Sequence, residues 1–155
     1  MEPSTATYAG FWKRFVACII DFLILGIADF VIFVPFLGLL GIGILAHDEY
    51  GGPGWILAMI GTYVFAALAV AIVGWLYYAL MESSAKQATL GKMAINIKVT
   101  DMAGNRISFG RASGRYFGKY ISAFILYIGF IMAGFTQQKQ ALHDIMAGCL
   151  VVNKY

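Results

Sequence analysis

Residues 55–81 read WILAMIGTYVFAALAVAIVGWLYYALM, twenty-seven positions without one charged side chain. About 20 apolar residues suffice for a helix to cross the hydrocarbon core of a bilayer, so this stretch alone predicts a transmembrane helix over 55–81. Trp55 at one end and Trp75, Tyr77 and Tyr78 at the other stand where aromatic rings anchor a helix at both interfaces. A Gly/Pro-rich turn at 47–54 precedes it and Glu82 follows it.

Upstream, residues 15–46 carry only Asp21 and Asp29 as charges in 32 positions. Wholly helical, that run would reach about 48 Å, which predicts one long helix over 12–35, a break near Pro35 and a remainder from Gly38 at the far interface. The run is too long for the apolar region of a cleaved signal peptide. Downstream, residues 121–136 form a shorter apolar run, extended to about 20 residues if Lys119 snorkels.

The composition agrees: 61% of the 155 residues are hydrophobic and 12% charged, with a mean hydropathy of +0.78, which excludes an ordinary water-soluble domain. The net charge of +3 reads as membrane topology rather than as a nucleic-acid footprint, which would need a basic face on a soluble body. Cys18 and Cys149 make no CxxC pair and are read as small apolar residues. Lys13 and Arg14 precede the first helix, and Lys86, Lys92, Lys98, Arg106, Arg111, Arg115 and Lys119 follow the second. The positive-inside rule then predicts a multi-pass protein of a prokaryotic cytoplasmic membrane, with its N-terminus and residues 82–116 cytoplasmic and the 47–54 turn outside. The third segment, 115–135, is either a span or a re-entrant pair hinged near Gly129, and both readings stand.

Ile95, Ile97 and Val99 alternate with Asn96, Lys98 and Thr100, the period of a strand. Turn residues 101–105 then predict a small cytoplasmic hairpin over 95–109, with residues 149–152 as a candidate third strand that would favour the re-entrant reading. Leu142, Ile145 and Met146 recur at helical spacing, which predicts a short amphipathic interfacial helix over 138–148, ended by Gly148. The fold class is therefore an all-α membrane protein: a single domain over 10–152 with three hydrophobic helical segments, a small hairpin and a short C-terminal amphipathic helix.

Residues 11–21 (FWKRFVACIID), 89–92 (TLGK), 97–101 (IKVTD) and 141–152 (ALHDIMAGCLVV), in this order, resemble the RDD family of bacterial and archaeal membrane proteins. The family is named for one arginine and two aspartates, which fall here on Arg14, Asp21 and Asp144. The resemblance implies transport of unidentified ligands, with sodium/proton exchange in some members.

Arg14 and Asp21 are seven residues apart, so they share a helix face but stand roughly 10 Å apart along the axis. Asp144 is the expected bridge to Arg14, and Asp21 needs a polar neighbour from another helix. An ionisable group at that depth costs at least ~2.5–3.5 kcal/mol, so these three form either a structural network or an ion path. Asp29 either continues such a path or meets water outside. Glu82 is expected to pair with Lys86 or Arg14, and Lys92 to sit at headgroup level beside a close backbone approach at Gly91. The adjacent His143 and Asp144 lack an accompanying nucleophile, so no enzyme is expected, nor any cofactor or metal. The partners expected are anionic lipid headgroups and either further copies of the chain or a larger membrane complex, in which the chain acts as a transporter-like oligomer or as a non-catalytic accessory subunit. The small residues Gly61, Ala66 and Gly74 suit close helix association.

Overall fold

The computed structural model describes residues 7–45, 53–125 and 128–154; most of the 47–54 turn lies outside them. The chain is mostly helical, with two long apolar helices and one two-stranded antiparallel sheet. Helix α1 spans Phe11–Leu45 and α2 spans Pro53–Ser83, and each is long and apolar enough to cross a bilayer. The expected break at Pro35 does not occur, and the helix runs through it to Leu45. A proline inside a helix costs about 3 kcal/mol, whereas unravelling the flanking apolar turns away from water would leave several backbone groups unpaired at several kcal/mol each.

The contacts divide the chain into two units, one formed by Met1–Phe22 with Trp75–Tyr155 and the other by Leu23–Gly74. Within the second unit, the Trp55 indole N–H donates to the Gly43 carbonyl at 2.7 Å, and Phe36 packs on Phe65.

The first unit holds everything else. After α2 come the short helix α3, Leu90–Ala94, and strand β1, Ile97–Asp101. The expected hairpin over 95–109 is not formed. The Asp101 carboxylate instead accepts the N–H groups of Ala103 and Asn105 at 2.9 and 2.8 Å, and this closed turn leads directly to Ser108, the cap of helix α4 at Phe109–Phe124. Strand β1 pairs with β2, Cys149–Asn153, the segment expected as a third strand, with Val99 opposite Val151 and Asp101 opposite Cys149. A run of Cys, Leu and two Val can be buried on both faces, as residues 106–109 with Arg106 and Ser108 cannot. Residues Tyr8 and Ala9 flank β2 on its other side, Ala9 donating to the Val151 carbonyl at 2.9 Å. Ile97, Val99, Val151, Cys149 and Ile107 form the core beneath.

The third apolar segment is bent by 102° between α4 and helix α5, Ile128–Phe135. Gly129 permits this crossing: a Cβ there would lie 2.8 Å from both Cα and Cβ of Ser122. The last helix, α6, spans Leu142–Ala147 rather than 138–148, because Thr136 and Gln140 tie the preceding loop through a 2.7 Å bond and Lys139 takes a left-handed conformation. Gly148 ends α6 with φ of 59°. His143 and Asp144 on this helix are buried, while Ile145 and Met146 are exposed, the reverse of a soluble amphipathic helix.

Candidate functional site

Five ionised side chains from five elements form an alternating chain of charge inside the first unit. Lys92 of α3 donates to Glu82 Oε1 at 2.5 Å, and Arg115 of α4 donates through Nη1 to Glu82 Oε2 at 2.6 Å. The same guanidinium donates through Nε to Asp144 Oδ1 at 2.7 Å, and Arg14 of α1 pairs with Asp144 Oδ2. Glu82, Arg115, Lys92 and Asp144 are all buried. Such a cluster survives only because each charge meets a counter-charge in hydrogen-bonding geometry.

Local sequence places each member. On α4 the buried positions are Ala112, Arg115, Gly118 and Ser122, spaced by three and four, so Arg115 projects from a face otherwise made of small residues. Gly118 lets α6 approach, since a Cβ there would stand 3.1 Å from the His143 Cβ. Asp144 also accepts the Ala141 N–H at 3.1 Å, so one carboxylate starts α6 and holds two arginines. Burial alone would raise its carboxyl, yet the guanidinium groups of Arg115 and Arg14 hold it well below the usual carboxylate range. Burial pushes the neighbouring His143 imidazole down to about 3, against the opposing pull of Asp144, so it is neutral at physiological pH. Burial likewise lowers the Lys92 ammonium, with Arg115 adding to the effect and Glu82 opposing it.

Asp21 stands apart from this chain. Its Oδ1 accepts the Tyr77 hydroxyl at 2.7 Å and the Gly91 N–H at 2.8 Å, and its Oδ2 accepts the Thr89 hydroxyl at 2.6 Å. Thr89 also caps α3, and Tyr77 accepts the Leu90 N–H at 3.0 Å. Only glycine fits at 91, because a Cβ would lie 2.2 Å from the Ala17 carbonyl oxygen.

The structure thus joins Arg14 to Asp144 and gives Asp21 neutral partners from α2 and the TLGK turn. Glu82 pairs with Lys92 and Arg115, not with Lys86 or Arg14, because Lys86 lies on an exposed turn while Arg115 projects from the buried face of α4. Lys92 is buried in the cluster. Asp29 belongs to the second unit, where its Oδ1 is shielded from solvent and has no hydrogen-bond partner among the described residues. Arg115 in the cluster and Lys119 beside it are the residues that their sequence reading undervalued, as topology charge and snorkelling residue. The signal for Arg115 was its place among Ala112, Gly118 and Ser122 at helical spacing. Lys119 lies with its Nζ 3.5 Å from the centre of the Tyr78 ring, a cation–π contact.

Beside the cluster lies a cavity of about 550 Å³, bordered by Arg14, Asp21, Lys92, Arg115 and Lys119 on its charged side and by apolar residues including Phe15, Phe130 and Ala133. No group of three or more potential metal ligands occurs among the described residues.

Two long apolar helices, together with a buried, internally paired set of charges, define a membrane protein. The profile of the RDD family matches residues 8–148, and the chain belongs to that family. The chain is 37% identical over 148 residues to the uncharacterized protein YxaI of Bacillus subtilis, covering 94% of this chain and 97% of that one. It is 29% identical over 161 residues to the uncharacterized membrane protein YteJ of the same organism, covering 99% and 85%. No solved structure matches the chain.

Proposed function

We propose that the protein is a multi-pass protein of the prokaryotic cytoplasmic membrane, with its N-terminus in the cytoplasm, that holds a small ligand in the cavity beside its charge cluster as part of transport. In this reading α1 and α2 span the bilayer while α4 and α5 form a re-entrant pair that leaves β1 and β2 on the cytoplasmic side. The 102° bend and the pairing of β2 with β1 support the re-entrant geometry. The inverted burial supports the bilayer as solvent: Trp12, Phe22 and Leu57 are 74%, 73% and 70% exposed, whereas Asp21, Glu82 and Asp144 are at most 1% exposed.

The observation that carries the ligand reading is the cavity itself, whose size lies within the roughly 300–1,000 Å³ of small-molecule sites. The charge chain beside it is a structural clamp, because each of its carboxylates already holds two cations. Asp21 acts as a clasp between α1 and the TLGK turn, since three donors occupy its oxygens. The test is a screen of ions, solutes and amphiphiles for a selective rise in melting temperature of the purified chain, repeated with Ala133→Leu, which narrows the cavity. A ligand that stabilises the wild type and not the variant supports the reading. Stoichiometric co-purification with a larger assembly, together with no stabilising ligand, overturns it in favour of an accessory subunit.

A further inference from the structure

The basic side chains around the cavity outnumber the carboxyls. Four basic side chains, Arg14, Lys92, Arg115 and Lys119, stand against three carboxyls, Asp21, Glu82 and Asp144, and Lys119 has no carboxyl partner among the described residues.

The surplus has an address. Lys92 and Arg115 are committed to Glu82 and Asp144, and Arg14 gives Nε to the Ala9 carbonyl and Nη1 to Asp144. Its Nη2 is shielded from solvent yet has no hydrogen-bond partner among the described residues. Lys119 makes no ion pair among them, and its ammonium rests on the Tyr78 ring. Two cationic groups with spare N–H donors therefore border the same cavity. An orphaned buried donor costs free energy that an incoming acceptor would relieve. The rest of the wall is apolar, and Phe15, Cys18 and Ile131 are exposed on their outer sides, so hydrocarbon reaches the cavity from the flank.

We propose that the cavity takes a single-chain anionic amphiphile, its carboxylate or phosphate head at Arg14 and Lys119 and its hydrocarbon chain along Phe15, Phe130 and Ile131. This inference rests on the ligand-holding reading above and names the class of ligand. It runs against a bound sodium ion, because Asp21, Glu82 and Asp144 are already engaged by donors and cations of the chain.

The experiment uses the full chain in phosphatidylcholine nanodiscs and a palmitate carrying a photoreactive diazirine, with crosslinks mapped by peptide mass spectrometry. Crosslinks concentrate on residues 15, 18, 130 and 131, and Lys119→Gln lowers them about tenfold, the loss of one charge-assisted contact, while Lys119→Arg keeps them. Oleate or lysophosphatidylglycerol competes, and whichever does so at lower concentration identifies the carboxylate or the phosphate head. Lysophosphatidylcholine and inorganic phosphate do not compete. Labelling spread evenly over outward residues such as Phe22 and Leu68, or unaffected by Lys119→Gln, overturns the proposal. So does competition by inorganic phosphate equal to that of oleate. Ala133→Leu separates the two levels: if it blocks labelling while lysophosphatidylcholine competes as well as oleate, the cavity holds a ligand but not an anion. If it changes nothing, the ligand-holding reading itself fails.

Discussion

Arg115 is the residue on which the most depends, because its guanidinium alone among the described residues touches both carboxylates of the charge chain, Glu82 and Asp144. Arg115→Met leaves Glu82 and Asp144 each with one cation fewer, and a loss of ~3–5 kcal/mol is expected in detergent melting experiments. Arg115→Lys rescues little of it, since a single ammonium cannot reproduce the planar fork that reaches two acceptors. At Gly91 the constraint is steric: Gly91→Ala sets a Cβ 2.2 Å from a backbone oxygen of α1, and a loss of ~1–3 kcal/mol follows from the forced shift. Asp21 was visible because an ionised group is conspicuous in an apolar run, whereas the family resemblance picked out Arg14 and Asp144. Arg115 was hidden among six other cations downstream of the second helix, where a charge has an innocent explanation. Which partner each group finds depends on how α4 and α6 cross, and no spacing within one segment encodes that.

At the scale of elements, α6 couples helix to pH. His143 has a folded pKa of about 3, below the unfolded value near 6.5, so the unfolded chain binds a proton that the folded one refuses. Stability therefore falls by about 1.4 kcal/mol per pH unit below roughly 6.5. Asp144, held below its unfolded pKa by Arg115 and Arg14, adds a further loss as the pH falls past about 4. Melting temperature measured from pH 7 to about pH 3 should show both limbs, and His143→Gln should remove the upper one. A flat profile in the wild type between pH 7 and 5 would count against the buried neutral imidazole. The two long helices were legible from run length alone, and β1 from its period of two. The partner of β1 was not, because a hairpin and a long-range pair satisfy the same alternation, and the self-contained turn at Asp101 decided between them. Pro35 misled for a related reason: local propensity argues for a break, and it yields where leaving the helix costs more.

For the whole molecule, the proposed topology has a direct check. In a background with Cys18 and Cys149 replaced by Ala, Arg106→Cys and Asn153→Cys should react with a membrane-impermeant maleimide only after permeabilisation, and Tyr50→Cys before it. Labelling of residue 153 from outside in intact cells would turn the third segment into a full span. The pairing of β1 with β2 and of Arg14 with Asp144 carries one more consequence, for biosynthesis. These side chains are 130 positions apart, so in the proposed topology the first helix enters the membrane long before its counter-charge has left the ribosome. Until then Arg14 and Glu82 lack the carboxylate and the guanidinium that neutralise them. A nascent or prematurely terminated chain thus carries naked charge in an oily setting, a signature by which membrane proteases could tell unfinished copies from finished ones.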